Sequence, residues 1–330
     1  MSRPMKLVIQ IPCFNEEATL PQTVADLPRE VAGFDVVEWL VVDDGSTDRT
    51  VEIARSLGVD HVICHDRNRG LAAAFLTGLD GALRRGADVI VNTDADNQYG
   101  ASSIPALVAP VLSGQAQMVV GERPIESIDD FSRTKKWLQR AGTAVVRRFS
   151  GTEVRDAASG FRAYSRDAAM QMQVFGRYTY TMETIIQAGW SGLTVASVPV
   201  TVNPKTRESR LVKSVPRYVM RSAQTIVRSF ALYKPFRFFF TIGAVPFVIG
   251  LALLVRWLLI YAFADDYQSR VPSLLAGIGL LLLAVQVWSV AFLADLLSSN
   301  RRTLAELRLR SKRLEYGDDV PPSSGDATGF

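Results

Sequence analysis

The sequence contains little histidine and little cysteine, and both shortages limit its chemistry. Only His61 and His65 occur among 330 residues, so a histidine-based zinc site or a Ser-His-Asp triad has little material. The 2 cysteines, Cys13 and Cys64, form no evident disulfide framework. A reducing compartment is therefore expected.

Several common signatures are also missing. Residues 1–6 lead straight into a short strand-like run, so we expect no secretory signal. No Walker or GxGxxG pattern follows the first predicted strand, which excludes a P-loop as the phosphate-binding device. A diphosphate ligand would have to be held by a metal ion and basic side chains instead.

The charge balance is mildly basic, and its location matters more than its size. The net charge is +4 and the pI is near 9.1. Arginine and lysine cluster at 133–148, 205–237 and 301–313. We expect no nucleic-acid partner, and we expect the basic clusters to serve a membrane surface and an anionic substrate.

Residues 6–121 alternate between predicted strands and helices. The strands are short, β-branched runs at Leu7–Pro12, Val36–Asp43, Val59–Cys64, Val89–Thr93 and Met118–Val120. The helical stretches lie near Ala18–Leu27, Asp48–Leu57, Leu71–Arg84 and Ser103–Leu112. Apolar strands alternating with helices predict an α/β fold, with a mostly parallel, Rossmann-like sheet covered on both faces. Ligands of such sheets bind beyond the carboxyl ends of the strands.

The most informative feature is the pair Asp94 and Asp96, directly after a predicted strand. Two carboxylates one residue apart suggest a hard divalent cation, because Mg²⁺ and Mn²⁺ prefer oxygen ligands and often share them with substrate phosphates. The alternative is a solvated acidic turn that caps the next helix. Polar clusters also follow two other strands, at Cys13–Glu17 and Asp43–Ser46, where carboxylates can accept hydrogen bonds from ribose or base.

Two long apolar segments, Phe238–Phe263 and Pro272–Leu293, follow the predicted sheet. A transmembrane helix needs about 20 apolar residues, and both segments suffice. Arginine and lysine flank the pair on its outer sides, so by the positive-inside rule the flanks are cytoplasmic. We therefore expect an integral protein of the cell (inner) membrane, with its N-terminal domain on the cytoplasmic face.

The expected organisation has four parts. They are a cytoplasmic α/β domain at 1–212, an amphipathic juxtamembrane helix region at 213–235, two transmembrane helices at 236–297 (about 238–263 and 272–295), and a basic cytoplasmic helix with a disordered tail at 298–330. A basic stripe at Arg217, Arg221 and Arg228 favours an interfacial helix over one packed on the domain. A second basic helix, Ser132–Phe149, fits either description.

Taken together, the motifs resemble a known family. In chain order they are Ile11–Glu17, Val41–Asp48, Asn68–Gly70, Asp94–Gln98, Gly121–Arg123, Asp156–Arg162 and Glu208–Leu211. They are similar to glycosyltransferase family 2 with a GT-A fold. Within it they resemble the polyprenyl-phosphate glycosyltransferases, including dolichyl-phosphate mannose synthase and bactoprenol glucosyl transferases. The joint order is far more specific than any one motif.

This resemblance implies an inverting, Mg²⁺- or Mn²⁺-dependent transfer of a sugar from a nucleotide sugar to a membrane polyprenyl phosphate. It implies nucleotide-sugar contacts at Pro12, Phe14, Glu16, Val42, Asp44, Asp94, Ala95, Asp96, Arg207 and Arg210. The implied metal ligands are Asp94, Asp96 and Gln98. The implied lipid-phosphate contacts are Arg123, Arg133, Ser159 and Arg162, and the implied catalytic residues are Asp96, Asp156 and Arg123.

The chain departs from the mannose synthases at one position, where they carry an arginine and this sequence has Pro204. Lys205 or Arg207 could supply the missing charge. A UDP-sugar such as UDP-glucose is favoured as donor, with UDP-N-acetylglucosamine and GDP-mannose as alternatives. The choice between an undecaprenyl and a dolichyl acceptor stays open, as does homo-oligomer formation.

Two other functions fit the sequence less well. A processive polysaccharide synthase fits poorly, because the QxxRW motif and further apolar spans are absent. A non-catalytic membrane scaffold or sugar-nucleotide sensor is the alternative of another class. Intact Asp94, Asp96, Asp156 and Arg123 argue against it.

Overall fold

Seven β-strands form one mixed sheet. This computed structural model describes residues 3–124, 133–176, 180–204, 234–263 and 271–317, together with residues 220, 223–224, 226–228 and 230–231. The strands are β1 (Lys6–Cys13), β2 (Val36–Asp43), β3 (His61–Cys64), β4 (Val89–Asn92), β5 (Met118–Glu122), β6 (Arg162–Ser165) and β7 (Val195–Pro199). The helices around them are α1 (Leu20–Asp26), α2 (Thr50–Ser56), α3 (Leu71–Arg84), α4 (Ile104–Leu112), α5 (Arg133–Ser150), α6 (Arg166–Gln171) and α7 (Thr181–Trp190).

The strand order is β3-β2-β1-β4-β6-β5-β7. The strands β3, β2, β1 and β4 run parallel, so their carboxyl ends share one edge of the sheet. Strand β6 runs antiparallel to both of its neighbours, β4 and β5, while β5 and β7 pair in parallel. The α/β fold with a mostly parallel sheet is therefore confirmed.

The sheet is buried on both faces, which is why its strands are apolar throughout. On one face Leu7, Ile9 and Ile11 of β1 belong to a core cluster that includes side chains of α1 and α4. On the other face α3 lies close to β1 and β2, and a Cβ added at Gly78 would meet the side chain of Val42 at 3.2 Å. Each fully buried Leu or Ile contributes about 1.5–3 kcal/mol to folding.

The elements up to β5 lie close to where the sequence predicts them. The predicted strand Val59–Cys64 is shorter, at His61–Cys64, and the predicted helix Ala18–Leu27 is shorter, at Leu20–Asp26. Four elements between α5 and the long apolar helices were not predicted, namely β6, α6, α7 and β7. Strand β6 has four residues, Arg-Ala-Tyr-Ser, and its alternation of polar and apolar side chains is too short to identify.

Two long apolar helices follow the sheet, Pro235–Phe263 and Val271–Glu315. Their most apolar stretches have mean hydropathies of 2.5 and 2.2. Only 11% and 17% of those stretches are buried, so these are not core helices of a soluble domain. By length and composition both can cross a membrane.

The two apolar helices approach closely at a pair of glycines. A Cβ at Gly250 would lie 2.9 Å from the carbonyl oxygen of Gly277, and one at Gly277 would lie 3.2 Å from the carbonyl oxygen of Gly250. Small residues at such a crossing let the backbones approach, as in membrane helix pairs. Near the other end of the pair the Phe240 and Trp288 rings stack with centroids 5.1 Å apart.

The last helix differs from its prediction. The expected transmembrane helix at about 272–295 and the expected basic helix at 298 and beyond are one unbroken helix, Val271–Glu315. By its contacts the chain forms two units: one holds the sheet and includes the helix end from Arg308, and the other spans Val227–Leu307. The stripe residues Arg217 and Arg221 lie outside the described residues, as does the tail beyond Gly317.

Candidate active site

Three polar clusters converge at the carboxyl ends of β1, β2 and β4. Strand β1 lies between the other two and pairs in parallel with both, with Cys13 opposite Asp43 and Gln10 opposite Asn92. The loops that leave the three strands therefore start side by side.

The loops after β1 and β2 are hydrogen-bonded to each other. Asn15 Oδ1 accepts from Thr47 N at 2.8 Å, and Asn15 N donates to Ser46 Oγ at 2.8 Å. Glu16 N donates to Thr50 Oγ1 at 2.8 Å. Asn15 has φ of 54°, which asparagine tolerates better than most residues. These bonds fix a pocket wall from which the Phe14 ring protrudes, 37% exposed.

Of the predicted nucleotide contacts in this wall, Phe14 is accessible and the others are buried. Pro12, Glu16 and Val42 are buried, and Glu16 Oε2 accepts from Thr19 Oγ1 at 2.7 Å. An exposed aromatic ring on a fixed loop can stack on a nucleobase. The Phe14 side chain is therefore available to contact a nucleotide. The side chains of Pro12 and Val42 are not, so a contact at these two residues would have to involve backbone atoms.

Asp44 holds the next loop in place. Its Oδ1 accepts from Arg69 N at 2.9 Å and lies 2.7 Å from His65 Nδ1, and its Oδ2 accepts from Gly70 N at 2.8 Å. The side chains of Asp44 and His65 are 4% and 5% exposed. Asp44 therefore fixes the Asn68–Gly70 loop beside the carboxyl end of β2.

Asp43, the first acid of the predicted polar cluster Asp43–Ser46, carries an unsatisfied acceptor. Its Oδ2 accepts from Ser46 N at 3.1 Å, but its buried Oδ1 has no hydrogen-bond partner among the described residues. An unmade hydrogen bond of this kind costs about 1–3 kcal/mol. A ligand N–H or O–H that bonds to this oxygen would remove that cost. In the sequence, the paired acids Asp43-Asp44 at a strand end indicate such an acceptor site.

Asp94 and Asp96 occupy the loop after β4. Burial and, after it, the neighbouring charge of Asp96 raise the pKa of Asp94 to about 7, while Arg123 acts in the opposite direction. Both side chains are half-buried. Two crowded carboxylates that resist ionising together fit a divalent cation, which would relieve their repulsion.

The described residues offer no cluster of three or more His, Cys, Asp or Glu side chains for a metal ion. An ion here would rest on Asp94 and Asp96 and take its other ligands from substrate phosphates and water, as Mg²⁺ commonly does. Gln98 lies two residues on, and its N donates to Asp96 Oδ1 at 3.2 Å. Its side chain as third ligand stays a prediction, as does a nucleotide contact at Ala95, which is buried.

A buried polar network supports Asp94 from behind. Asn92 Nδ2 donates to Gly160 O and to Tyr180 Oη, both at 2.8 Å, and Gln10 Nε2 donates to Asn92 Oδ1 at 2.8 Å. Gly160 lies so close that an added Cβ would be 3.0 Å from Asp94 Oδ2 and 3.0 Å from Tyr180 Oη. Asn92 and Tyr180 were not predicted as site residues, since tyrosine and asparagine carry no metal or phosphate signature in sequence.

Arg123 forms a two-pronged ion pair with Asp156. Its Nε donates to Oδ2 at 2.7 Å and its Nη2 donates to Oδ1 at 3.1 Å. Asp156 is 0% exposed and Arg123 is 13% exposed at their side chains. Ala158 N also donates to Asp156 Oδ1, at 3.2 Å. A fork held this way presents its charge in a fixed orientation close to the carboxylate pair.

Ser159 and Arg162, the other predicted lipid-phosphate contacts with described side chains, are buried inside the domain. Both side chains are 0% exposed. The Arg162 guanidinium donates to Ser159 O at 2.8 Å, to Thr184 Oγ1 at 2.6 Å and to Ala157 O at 3.2 Å. Because its donors are used inside the protein, Arg162 in this structure braces the Asp156–Gly160 loop rather than facing a phosphate. A direct phosphate contact would require both side chains to move.

The remaining predicted contacts lie outside what the structure describes. Arg207 and Arg210 are not among the described residues, and Arg133 is described only as the first residue of α5, without its side chain. The chain enters that segment from Asn203, whose N donates to Gln98 O at 2.9 Å. Asn203 therefore lies beside the Asp94–Gln98 loop.

The part of the chain that contains these motifs matches a known protein family. The profile of glycosyl transferase family 2 matches residues 8–172, half of the chain. The chain belongs to glycosyltransferase family 2. It is a glycosyltransferase, and its sheet is the GT-A-like fold of that family.

Two relatives illustrate the resemblance. The dodecaprenyl-phosphate galacturonate synthase of Rhizobium johnstonii is 28% identical, over 97% of this chain and 91% of the relative. The undecaprenyl-phosphate mannosyltransferase of Micrococcus luteus is 29% identical, over 63% of this chain and 88% of the relative. The first match extends through the apolar helices as well as the sheet.

Among solved structures, the chain is similar to glucosyl-3-phosphoglycerate synthase of Mycobacterium tuberculosis in complex with Mn²⁺, UDP-glucose and phosphoglyceric acid. The TM-score is 0.54 at 23% identity, over 69% of this chain and 79% of that protein. At this identity the likeness establishes the fold of the family 2 domain alone.

Proposed function

We propose that this family 2 glycosyltransferase moves a sugar from a nucleotide sugar to the phosphate of a membrane polyprenyl phosphate. The observation that carries the proposal is the arrangement around Asp94. The carboxylate pair Asp94 and Asp96 and the fixed Arg123–Asp156 fork lie together at the sheet edge where ligands of this fold bind. Two relatives named for polyprenyl-phosphate acceptors support the choice of acceptor.

The proposed reaction needs little general-base catalysis, because the acceptor phosphate is already an anion. Its oxygen attacks the anomeric carbon, the bond from that carbon to the diphosphate breaks, and the configuration inverts. The two demands on the protein are to bring two anions together and to stabilise the leaving nucleoside diphosphate. A divalent ion, when bound, supplies charge neutralisation at that diphosphate.

The residues of this chain take separate parts in that scheme. Phe14 and the unsatisfied Asp43 Oδ1 hold the base and ribose, Asp94 and Asp96 hold the ion, and Arg123 draws the acceptor phosphate toward the donor. Asp156 orients Arg123 and does not itself react. Arg207, Arg210 and Arg133 complete the charge around the two substrates in this proposal.

The apolar helices supply the location. Two helices able to cross a membrane belong to the same chain as the sheet domain, so they would tether that domain to the bilayer that contains a polyprenyl acceptor. Tethering of this kind raises the effective concentration of a substrate that never leaves the bilayer. We propose the cytoplasmic face of the cell (inner) membrane, where nucleotide sugars are made and where the basic flanks of the helices point.

The donor sugar is the least constrained part of the proposal. A UDP-sugar is favoured, with UDP-glucose as first choice. The relative that matches nearly the whole chain is named for galacturonate, and the other is named for mannose. UDP-galacturonate and GDP-mannose are therefore the alternative donors to include.

The test is transfer of label from a radioactive nucleotide sugar into lipid extractable by organic solvent, using the full chain in membranes or detergent with added polyprenyl phosphate. We expect one donor to give product that chelation abolishes and Mn²⁺ or Mg²⁺ restores. Asp96→Asn should lower the rate about 10²–10³-fold, because it removes charge stabilisation of the leaving group. Glu52→Gln, an exposed acid on α2, is the matched control and should be unchanged.

The alternatives make different predictions. A non-catalytic sugar-nucleotide sensor would bind donor and yield no labelled lipid from any donor. If Asp96→Asn and Glu52→Gln behave alike, the assignment of the carboxylate pair is wrong even where product forms.

A further inference from the structure

The end of the last helix returns to the sheet domain and packs on α3 and α6. Tyr316 Oη donates to Asp80 Oδ1, and Arg84 pairs with Glu315 at 2.5 Å. Arg166 Nη2 donates to Tyr316 O at 3.0 Å. These contacts span more than 140 residues of sequence and hold residues Arg308–Gly317 against the domain.

A cavity of about 220 Å³ lies under this helix end. Its apolar part is formed by α3 and by residues at and just after α6, namely Leu76, Leu79, Ala169 and Met172. Arg308 and Lys312, one turn apart on the last helix, line its other side. Pockets for drug-sized ligands hold about 300–1,000 Å³, so this one suits a small group.

Two cations line the cavity, the exposed Arg308 and the half-buried Lys312, and the nearby charges of Asp80 and Glu315 act on Lys312. Asp80 also borders it, but Asp80 Oδ1 accepts from Tyr316 and Asp80 Oδ2 accepts from Arg84 Nε at 2.9 Å. Within the described part of the chain neither Arg308 nor the Lys312 ammonium has an ion pair. Burial and the nearby charge of Arg308 lower the pKa of Lys312.

Of the two cations only Lys312 is half-buried. A half-buried ammonium without an ion pair is unfavourable, and proteins rarely keep one unless something binds there. The apolar wall opposite argues against a purely solvated ion, since only a ligand with an apolar part would use it. The charge and the volume together fit a single phosphate group that carries a short apolar extension.

We propose that this cavity is a phosphate-ester binding site, separate from the candidate active site, in which Arg308 and Lys312 hold the phosphate and the α3–α6 wall holds its ester group. The same chemistry is offered by a phospholipid headgroup and by a soluble phosphate or phosphate ester. The middle of α3 lines the site, and none of Asp94, Asp96 and Arg123 borders it.

Thermal unfolding of the full chain in nanodiscs, titrated with inorganic phosphate at constant ionic strength, tests the proposal. A ligand that binds the folded state alone raises Tm in a saturable way. Lys312→Met should weaken the phosphate response about 10–100-fold, the effect of one lost charged hydrogen bond. Arg308→Gln, at an exposed position where folding should not suffer, should do the same. Arg310→Gln, exposed on the same helix and outside the cavity, is the charge-matched control.

Lys312→Met also has an expected effect of its own. Without phosphate its Tm should equal or exceed that of the unmodified chain, because an unpaired, half-buried ammonium has been replaced by an apolar group of similar length. A lower Tm in phosphate-free buffer would mean that Lys312 is already paired and would overturn the proposal. Equal phosphate responses in Lys312→Met, Arg308→Gln and Arg310→Gln would overturn it as well, since phosphate would then act elsewhere, for example at Arg123.

A second arm identifies the source of the phosphate. The titration is repeated in nanodiscs of phosphatidylcholine alone and of phosphatidylcholine with phosphatidylglycerol. If the phosphatidylglycerol headgroup occupies the site, it should raise the starting Tm and remove the response to added phosphate, with both effects absent in Lys312→Met. If the responses in the two membranes agree, the ligand is a soluble phosphate.

Discussion

Replacing Arg123 by Gln should strongly destabilise the sheet domain, beyond any effect on activity. Asp156 is 0% exposed and receives two of its hydrogen bonds from the Arg123 guanidinium, at 2.7 and 3.1 Å. Removing one partner of a buried ion pair leaves an uncompensated charge and costs about 3–5 kcal/mol. With Tm falling about 2–4 °C per kcal/mol for a domain of this size, we expect a loss of about 6–20 °C.

The measurement is thermal unfolding of the full chain in detergent, followed by near-ultraviolet circular dichroism, for Arg123→Gln, Arg123→Lys and the double variant Arg123→Met with Asp156→Leu. Arg123→Lys keeps the charge but loses the fork, so an intermediate loss is expected. The double variant should recover much of the stability, because no buried charge remains. If Arg123→Gln costs less than about 1 kcal/mol and the double variant gains nothing, the pair behaves like an exposed one and our account of it is wrong.

Three further predictions concern the active site. The pKa of Asp94 is raised to about 7, so below that pH the carboxyl is mostly neutral and a cation must displace a proton to bind. The apparent affinity for Mn²⁺ should therefore fall as pH falls from about 8 to about 6. Metal titrations of the transfer rate at both pH values check this, and an unchanged affinity contradicts it. Gly160→Ala places a Cβ 3.0 Å from Asp94 Oδ2, so it should raise the metal concentration needed for half-maximal rate while leaving donor binding without metal unchanged. Phe14→Ala should raise the donor KM about 5–150-fold, because about 1–3 kcal/mol of stacking is lost. The control Phe14→Tyr should have a KM near that of the unmodified chain. If Phe14→Ala also has an unchanged KM, the ring does not contact the base.

The parallel half of the fold could be predicted from sequence because each of its strands has a local residue pattern that identifies it. Strands buried on both faces are continuous apolar runs, as in Lys6–Cys13 and Val36–Asp43, and the helices between them show their own periodicity. The antiparallel strand Arg162–Ser165 has no such signature, because its place between β4 and β5 depends on pairing with residues more than 40 positions away. Topology of that kind is a property of the whole chain.

The site shows the same division. Asp94 and Asp96 could be located from their residue type and position, because a carboxylate pair at a strand end is a local pattern. The different environments of Arg123 and Arg162 could not be predicted from the sequence. Both are arginines in motifs that suggest phosphate binding. Arg123 keeps exposed surface, whereas the guanidinium of Arg162 donates its hydrogen bonds to Ser159, Ala157 and Thr184. Burial decides between those roles, and burial depends on the tertiary structure.

The antiparallel strand also constrains how the domain can assemble. Strand β6 is the only link, among the described strands, between the block β3-β2-β1-β4 and the block β5-β7. A nascent chain that has not yet emerged up to Arg162 holds the block β3-β2-β1-β4 with an open edge at β4, and it holds β5 without either of its neighbours β6 and β7. Such edges invite pairing with other chains. Closure of the sheet should therefore be a late event that waits for Arg162–Ser165, and fragments that end before it should aggregate rather than fold.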